Sequence, residues 1–405
     1  MPPNKRSKTA SVFAIIFIGV LALFGILYKF TITGVVGIIT PPTPQPTLTQ
    51  TSITLPGPVV TNTQLPVFIT PKPAASWWEL YFTDPINIKD PNNIAGSIEE
   101  ILIQKINSAR ISIHTASFEF DLTQVADALI AANNRGVDVR WITDDENGLG
   151  VDGEPGHGQF AALQKAGIQV RSDDRSALMH NKFWIFDGQT VWTGSTNITV
   201  NGIFKQDNNA IVIHSPDVAA MYEREFAEMW DGKFGPKSPS TVDLQSTSVE
   251  GTNIQVLFSS EDHVVEKIIA LVKTARTSIR FLAFSFTDYP LADSMRTRAQ
   301  AGVDVRGLWE TVGSDTDASE LRTLYCAKIP VRQDGNPQFM HNKFIIIDRR
   351  IVVTGSLNYS SNADDSNDEN VIILDNPDIA ALYLQDFERV WGQGHDPDPA
   401  KFPCK

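Results

Sequence analysis

The sequence predicts an α/β protein in which one structural unit occurs twice. Short apolar segments alternate with amphipathic segments of helical length, and the whole pattern recurs further along the chain. Strands that alternate with helices are typical of sheets covered by helices on both faces, so we expect mostly parallel mixed sheets. With 405 residues, the chain has room for two such units and an N-terminal extension.

The N-terminal region is the first predicted element. An uncharged apolar run, 11–28, follows three basic residues, and a second apolar stretch continues to residue 40. Together they are long enough to cross a bilayer, and the preceding positive charges favour a cytoplasmic N-terminus. We expect a cytoplasmic segment 1–10, a single-pass transmembrane anchor 11–40 and an extracytoplasmic remainder. A cleaved signal peptide is the alternative, and it would make the protein secreted.

The next segment, 41–75, is dominated by Pro and Thr. Such a segment cannot pack a core and is predicted to be an extended linker. The folded part then begins near Trp77. Cys326 and Cys404 are the only cysteines, and they could be joined in an exported protein or remain two separate buried thiols.

An internal repeat organises the rest of the chain. Met179-His180-Asn181-Lys182-Phe183 recurs as Met340-His341-Asn342-Lys343-Phe344. The same separation relates Asn197 to Asn358 and Trp230 to Trp391, which indicates a tandem duplication. The predicted domains are repeat 1 over 76–237, a polar connector over 238–251 and repeat 2 over 252–405.

Each repeat contains the same predicted elements in the same order. A buried strand precedes an amphipathic helix, a Gly-Val turn leads into a second strand, a hairpin follows, and a helix closes the repeat. In repeat 1 the strand, first helix, hairpin strands and last helix are Ile111–Phe120, Leu122–Asn134, Lys182–Phe186 with Thr190–Thr193, and Asp217–Trp230. In repeat 2 they are Ser278–Phe286, Leu291–Ala301, Lys343–Ile347 with Ile351–Thr354, and Asp378–Trp391. The loop Asp144–Gln159 is longer than its counterpart Glu310–Glu320 and is the expected place for substrate selection.

The repeated motif carries the predicted chemistry. It reads His-x-Lys, Asp, then Gly-Ser-x-Asn, and its members are His180, Lys182, Asp187, Gly194, Ser195 and Asn197, then His341, Lys343, Asp348, Gly355, Ser356 and Asn358. Side chains two apart on a strand share a face, so each His points the same way as its Lys. Lysine and asparagine can bind phosphate oxygens, and an imidazole can attack phosphorus or transfer a proton. Two full copies at equal spacing indicate phosphate chemistry.

These motifs resemble those of two-repeat members of the phospholipase D superfamily. The resemblance covers 77–391 and implies that the two repeats meet across a pseudo-twofold axis to form one active site. It implies that one histidine is the nucleophile and the other the general acid, with no metal or other cofactor. It assigns His180, Lys182, Asn197, His341, Lys343 and Asn358 to the catalytic site, supported by Ser195 and Ser356. Asp187 and Asp348 would have structural roles.

The resemblance also implies a carboxylate that hydrogen-bonds the catalytic histidine. Glu369 fits this position in repeat 2, but Asn208 stands at the equivalent position in repeat 1. Either Asp207 replaces the carboxylate through a local bulge, or Asn208 orients His180. In the second case Glu369 would keep His341 protonated as the acid, which leaves His180 neutral and nucleophilic.

The expected function is cleavage of a phospholipid phosphodiester through a phosphohistidine, which yields phosphatidic acid and an alcohol. A membrane anchor would concentrate lipid substrate near the site, and the net charge of -13 disfavours nucleic acid. Transfer to an alcohol, as in a cardiolipin synthase, uses the same intermediate. A DNA- or RNA-cleaving endonuclease is the alternative. No obligatory protein partner is predicted.

Overall fold

The architecture was obtained from a computed structural model, which describes residues 76–238 and 245–404. These residues belong to one compact unit, Leu65–Lys405. The predicted cytoplasmic segment, anchor and linker lie outside the described residues. Within the described part, no helix combines the length and apolarity needed to cross a membrane.

Repeat 1 contains eight strands and five α-helices in its described residues. The strands are β1 (Trp78–Phe82), β2 (Ser112–Ser117), β3 (Asp138–Thr143), β4 (Gln169–Ser172), β5 (Lys182–Phe186), β6 (Thr190–Gly194), β7 (Gln206–Asp207) and β8 (Asn209–His214). The helices are α1 (Ile98–Ser108), α2 (Thr123–Asn134), α3 (Gln159–Lys165), α4 (Val200–Phe204) and α5 (Pro216–Trp230). Short 3₁₀ turns occur at Leu149–Val151 and Gly235–Lys237.

Repeat 2 follows the same order. Its strands are β9 (Ser246–Val249), β10 (Thr252–Ser259), β11 (Ser278–Ala283), β12 (Asp304–Trp309), β13 (Val331–Gln333), β14 (Phe339–Met340), β15 (Lys343–Ile347), β16 (Ile351–Gly355) and β17 (Glu369–Asp375). Its helices are α6 (Val264–Thr274), α7 (Tyr289–Gln300), α8 (Leu321–Cys326), α9 (Ser361–Asp365) and α10 (Pro377–Gln393). Residues 246–249, expected in the connector, form an edge strand that pairs with β10.

The sheets are mixed, as predicted, but the expectation that they are mostly parallel was wrong. The order is β1-β8-β6-β5-β2-β3-β4 in repeat 1 and β13-β12-β11-β15-β16-β17-β10-β9 in repeat 2. In the first sheet only the β2–β3 and β3–β4 pairs are parallel, and in the second only β11–β12 and β12–β13. The remaining pairs are antiparallel. Among them, β5–β6 and β15–β16 are hairpins whose turns are too short for a parallel crossover.

The last helix of each repeat begins at a proline and has a side-chain N-cap. Pro216 and Pro377 occupy the first turns of α5 and α10, where the missing proline N–H is not needed. Ser215 and Asn376 cap these helices by accepting hydrogen bonds from backbone N–H groups in the first turn. The buried faces of α5 and α10 contribute to one hydrophobic cluster that contains residues of both repeats.

The two repeats therefore share a core instead of forming separate domains. Tyr222 of α5 and Tyr383 of α10 are fully buried in the shared cluster. The opposite faces of the sheets carry separate clusters, one with α1 and α2 and the other with α6 and α7. The shared core fixes how the repeats pack, which is the condition for a site made from both.

Short backbone pairings at the junction bring the repeats together near the motifs. Strand β7 pairs in parallel with β14, so that Met340 lies opposite Asp207. Met179 and Asp368, at the equivalent positions, form a single parallel bridge. Each pairing therefore places a motif histidine close to Asn208 or Glu369 of the other repeat, since these residues come next in the chain.

The two cysteines form a disulfide between Cys326 and Cys404. Cys326 ends α8, and Cys404 lies near the C-terminus, so the bond ties the last residues of the chain to repeat 2. The open question about these cysteines is thereby answered in favour of pairing.

Candidate active site

The motif histidines lie at the junction of the repeats, just before β5 and β15. The backbone N–H of His180 donates to the Asp368 carbonyl, and that of His341 donates to the Asp207 carbonyl, both at 2.9 Å. Both histidines are buried, with 6% of their surface exposed. Each is thus held by a strand of the opposite repeat.

Glu369 contacts His180, the histidine of the other repeat. Its Oε2 lies 2.7 Å from His180 Nδ1, and the carboxylate is fully buried. Asn367 Nδ2 donates to the other carboxylate oxygen at 3.1 Å. Burial raises the pKa of Glu369 to about 7, although Lys182 opposes this rise. Burial and the neighbouring lysines lower the pKa of His180 well below its usual value.

Asn208 contacts His341, again across the junction. Its Oδ1 lies 3.0 Å from His341 Nδ1 and also accepts from the Ser195 hydroxyl at 2.8 Å. The amide orientation is fixed because Nδ2 donates to the Gly202 carbonyl at 2.8 Å. An oxygen at this position can only accept, so His341 carries a proton on Nδ1. Burial, followed by the charges of Lys343 and Lys182, lowers the pKa of His341 well below its usual value.

The crossed contacts correct the partner assignment made from the sequence. We expected Glu369 to act on His341 and Asn208, or Asp207, to act on His180. The junction pairings place each partner beside the histidine of the opposite repeat instead. Asp207 contacts no imidazole: it pairs with Arg389 at 2.9 Å and accepts from Asn336 Nδ2 at 2.7 Å. The carboxylate therefore lies beside His180 and the amide beside His341, which is the reverse of the arrangement from which the acid and the nucleophile were first assigned.

The motif lysines lie beside the histidines with matching surroundings. Lys182 Nζ donates to the His180 carbonyl at 2.9 Å, and Lys343 Nζ donates to the His341 carbonyl at 2.8 Å. Burial lowers the pKa of Lys182 to about 8, against the opposing effect of Glu369 and other carboxylates. Burial and the charge of Lys182 lower the pKa of Lys343 well below its usual value. Two ammonium groups in one buried site make a strong binding place for an anion.

A phenylalanine completes each half of the site, and sequence analysis missed both. The Phe118 ring meets the His180 ring edge-on at 4.8 Å between centroids, and the Phe284 ring meets the His341 ring at 4.7 Å. Each ring also faces its lysine, with Nζ 5.1 Å from the Phe118 centroid and 4.7 Å from the Phe284 centroid. Phe118 directly follows β2 and Phe284 directly follows β11. This shared position in the two repeats could have identified them from the sequence.

The motif asparagines have different surroundings in the two repeats. Asn197 Nδ2 donates to Glu119 Oε2 at 3.0 Å. Asn358 has no corresponding side-chain hydrogen bond within the described residues, and the Oδ1 atoms of both asparagines are buried without a partner there. These amides have unused hydrogen-bonding capacity that can serve a ligand.

The predicted supporting serines and the glycines before them hold the partner strands. Ser195 Oγ accepts from the Asn209 N–H at 3.1 Å, and Ser356 Oγ accepts from the Asn370 N–H at 2.9 Å. Gly194 has φ of 149°, and a Cβ there would collide with the Asn209 carbonyl. Only glycine permits this close approach, which sets Ser195 against the strand that carries Asn208.

Asp187 and Asp348 lie in the hairpin turns, away from the histidines. Asp187 accepts from the N–H groups of Arg110, Ile111 and Ser112 at 2.7 to 3.0 Å. Asp348 accepts from the equivalent N–H groups, which begin at Arg276. Both residues have positive φ, a conformation that aspartate tolerates in turns. Each carboxylate therefore binds the start of the neighbouring strand to the hairpin.

Two further acids, also missed from the motif alone, brace the strands that carry the histidines. Asp144 Oδ2 accepts from the Met179 N–H at 3.1 Å, and Glu310 Oε2 accepts from the Met340 N–H at 2.7 Å. Burial raises the pKa of Glu310 to about 7. Asp144 follows β3 and Glu310 follows the equivalent strand β12, so equal position in the duplication was again the available signal.

Two groups of acids within the described residues have carboxylate oxygens close enough to hold a cation: Asp144, Asp145 and Asp173, and Glu225, Glu228 and Glu261. Asp173 already pairs with Arg175 at 3.2 Å, and Glu228 accepts from the Ser238 hydroxyl at 2.8 Å. Neither group includes a motif histidine.

The family model for "Cardiolipin synthase, PLD-like domain" matches residues 102–230 and 268–391, one segment in each repeat. The chain belongs to the phospholipase D-like family. The resemblance seen in the motifs is thereby confirmed. The two matched segments make up more than half of the chain and contain both histidine motifs.

Relatives and solved structures agree with this family. The chain is 33% identical over 144 residues to human mitochondrial cardiolipin hydrolase. The matched residues make up 36% of this chain and 57% of that protein. The chain is also 33% identical over 163 residues to phospholipase D of Rickettsia prowazekii, covering 40% of this chain and 80% of that protein. Phosphatidylserine synthase of Haemophilus influenzae has the same fold, with a TM-score of 0.57 and 14% identity. The match covers 78% of this chain and 86% of that one.

Proposed function

We propose that this protein is a phosphodiesterase that cleaves phospholipids through a phosphohistidine intermediate. The observation that supports the proposal is the crossed pair of contacts, Glu369 with His180 and Asn208 with His341. These contacts bring two buried imidazoles and two buried ammonium groups into one site. A phosphodiester needs a nucleophile, a proton donor and cations for its oxygens, and this set supplies all three.

In the first step, His180 Nε2 attacks phosphorus and the bond from phosphorus to the leaving alcohol oxygen breaks. Attack through Nε2 leaves the ring positively charged, since Nδ1 keeps its proton. Glu369, 2.7 Å from Nδ1, holds that proton and stabilises the cation for the lifetime of the intermediate. We therefore assign the nucleophile to His180, the histidine with the carboxylate partner.

His341 supplies the proton that the leaving alcohol takes. Its partner Asn208 is a neutral amide, which stabilises an imidazolium much less than a carboxylate does, so protonated His341 is a strong acid. Binding of the phosphate anion beside Lys182 and Lys343 raises the pKa of His341 by offsetting their charges. His341 then receives a proton from water, whose oxygen attacks phosphorus and breaks the bond to His180.

Lys182, Lys343, Asn197 and Asn358 bind the nonbridging phosphate oxygens in this proposal. Their side chains supply the donors that the developing negative charge requires. An alcohol can replace water in the second step, because the phosphohistidine is the same. Hydrolysis and phosphatidyl transfer therefore differ only in the acceptor.

A lipid substrate is supported by the names of relatives, which include cardiolipin hydrolase and phospholipase D. The net charge of -13 also disfavours a long polyanion such as DNA. We propose that the catalytic part lies outside the cytoplasm beside a bilayer. The Cys326–Cys404 disulfide is in keeping with an oxidising compartment, where such bonds persist.

A substrate panel on the full-length protein tests the proposal. Vesicles of phosphatidylcholine, vesicles containing cardiolipin, single-stranded DNA, duplex DNA and RNA are each incubated with wild type and with His180→Ala. We expect phosphatidic acid or a phosphatidyl transfer product from lipid, and neither from His180→Ala. Added ethanol separates transfer from hydrolysis by giving phosphatidylethanol.

The matched control is His395→Ala, because His395 is exposed and lies outside the site. This variant should retain wild-type activity. Cleavage of DNA or RNA without any lipid product would overturn the lipid proposal in favour of an endonuclease. Trapping the intermediate and locating the phosphate by mass spectrometry tests the roles, since phosphate on His341 alone would reverse them.

A further inference from the structure

The two halves of the phosphate site differ at the residue that follows the phenylalanine present in both repeats. Glu119 follows Phe118 in repeat 1, whereas Ser285 follows Phe284 in repeat 2. The two phenylalanines have matching contacts with their histidines, so the neighbouring positions are structurally equivalent. Repeat 1 therefore places a carboxylate where repeat 2 has a hydroxyl group.

Glu119 fixes the orientation of the Asn197 amide. Asn197 Nδ2 donates to Glu119 Oε2 at 3.0 Å, while Asn197 Oδ1 is buried without a partner in the described part of the chain. One N–H of the amide is thus used, and the second remains for a ligand oxygen. Asn358 has no carboxylate to hold it in this way.

Glu119 also contributes to the charge balance around Lys182. The groups that act electrostatically on this ammonium are Glu119 after β2, Asp144 after β3 and Glu369 on β17, with Lys343 and His180 as the nearby basic groups. Burial lowers the pKa of Lys182 to about 8, and the three carboxylates oppose this fall. Burial and the charge of Lys182 lower the pKa of Lys343, and Glu369 opposes this fall.

Burial raises the pKa of Glu119 itself, and the Lys182 ammonium opposes this effect. Asp121 and Asp144 add to the rise, while the hydrogen bond from Asn197 acts against it. Glu119 and Lys182 thus stabilise each other's charged forms in a site that otherwise disfavours both.

We propose that Glu119 is a positioning residue that presets the repeat 1 half of the phosphate site, by holding the Asn197 amide and by adding negative charge to the surroundings of Lys182. The repeat 2 half, with Lys343 and Asn358, is completed when the substrate anion binds. This inference rests on the phosphodiesterase chemistry proposed above and does not depend on a lipid substrate.

The test compares Glu119→Gln, Glu119→Ser and wild type on bis(p-nitrophenyl) phosphate across pH 5 to 10. Glutamine keeps an oxygen for Asn197 but removes the charge, so the alkaline limb of kcat/KM should move to lower pH with little loss at pH 6. Serine, the residue of repeat 2, removes both. It should show the same shift and also lose about 10-fold in kcat/KM at pH 6, through loss of a charge-assisted hydrogen bond.

Glu266→Gln, which removes the charge of an exposed glutamate on α6, is the matched control, and its pH profile should coincide with that of wild type. A Glu119→Gln profile that also coincides with wild type would overturn the charge role, and unchanged kcat/KM in Glu119→Ser at pH 6 would overturn the orienting role. A uniform loss at all pH values with a lowered Tm would assign Glu119 a structural role only. Because the substrate is not a lipid, these outcomes are independent of whether phospholipids are cleaved.

Discussion

The two repeats use the same backbone framework but different side chains around their histidines. Both have a lysine bonded to the histidine carbonyl and a phenylalanine at the ring edge. In contrast, His180 has a carboxylate partner and His341 an amide. In the proposed mechanism the two lysines bind the phosphate, and the partners that differ determine which imidazole becomes charged.

A second difference follows the same division. The extra carboxylate, Glu119, lies in repeat 1, while the disulfide lies in repeat 2. Glu119 has no carboxylate counterpart in repeat 2, and the disulfide has no counterpart in repeat 1 because Cys326 and Cys404 are the only cysteines. Substitutions at these positions should therefore have separable effects on the two repeats.

The largest effect is expected from the two histidines. His180→Ala should abolish cleavage of every phosphodiester, with a fall in kcat of about 10⁴-fold, because no other nucleophile replaces it. His341→Ala should still release one equivalent of p-nitrophenolate from bis(p-nitrophenyl) phosphate, since this leaving group needs no proton. Stopped-flow absorbance measures that burst. A burst in His180→Ala and none in His341→Ala would exchange their roles.

Next in size is the change that makes the histidine partners alike. Glu369→Gln should lower kcat by roughly 10²- to 10³-fold, because the phosphohistidine cation loses its carboxylate. Asn208→Asp should have a smaller effect and extend activity to higher pH, since a carboxylate raises the pKa of His341. Steady-state pH profiles of both variants provide the measurement. An equal loss in the two variants would mean that the partners do not distinguish the histidines.

The disulfide should affect stability and leave the chemistry unchanged. Cys326→Ser is expected to lower the free energy of unfolding by about 2 to 4 kcal/mol, since the unfolded chain gains freedom when the bond is absent. Urea unfolding followed by circular dichroism measures the change. A reductant should destabilise wild type by a similar amount and leave Cys326→Ser unaffected. A fall in kcat for the folded variant would contradict this separation.

The smallest effect is expected from the hairpin aspartates. Asp348→Asn should cost about 1 to 3 kcal/mol, because an amide satisfies fewer of the backbone N–H groups. Burial opposes ionisation of Asp348, but the N–H groups of Thr277, Ser278 and Arg276 hold its pKa below the usual value. Its contribution is therefore complete above the unfolded pKa of about 4 and is lost as pH falls through the lower folded value. Urea unfolding between pH 7 and pH 2 should show a weaker pH dependence in the variant than in wild type.

Features set by local spacing could be predicted from the sequence. The hairpins around Asp187 and Asp348 and the capped helices after Ser215 and Asn376 occur where short-range patterns indicated. The α/β class and the duplication were also predictable, because both depend on repeated spacings along the chain. The proportion of parallel strands was not, because pairing depends on how each hairpin returns to the sheet.

The site was predictable as a set of residues but not as a set of contacts. Histidine partners come from opposite repeats, and nothing in the spacing of Glu369 or Asn208 indicates that they cross the junction. Phe118 and Glu119 were missed because they continue an apolar strand and carry no motif of their own. The pairing of Cys326 with Cys404 also required the folded chain, since two cysteines alone are compatible with either redox state.

The crossed histidine contacts have an evolutionary consequence. A single-repeat chain could form this site only as a symmetric dimer, in which one gene position supplies the partner of both histidines. Any substitution there changes both halves at once. Once two repeats are joined in one chain, Asn208 and Glu369 occupy separate positions and can be selected independently. Two repeats in one chain therefore allow the surroundings of one imidazole to change without altering those of the other.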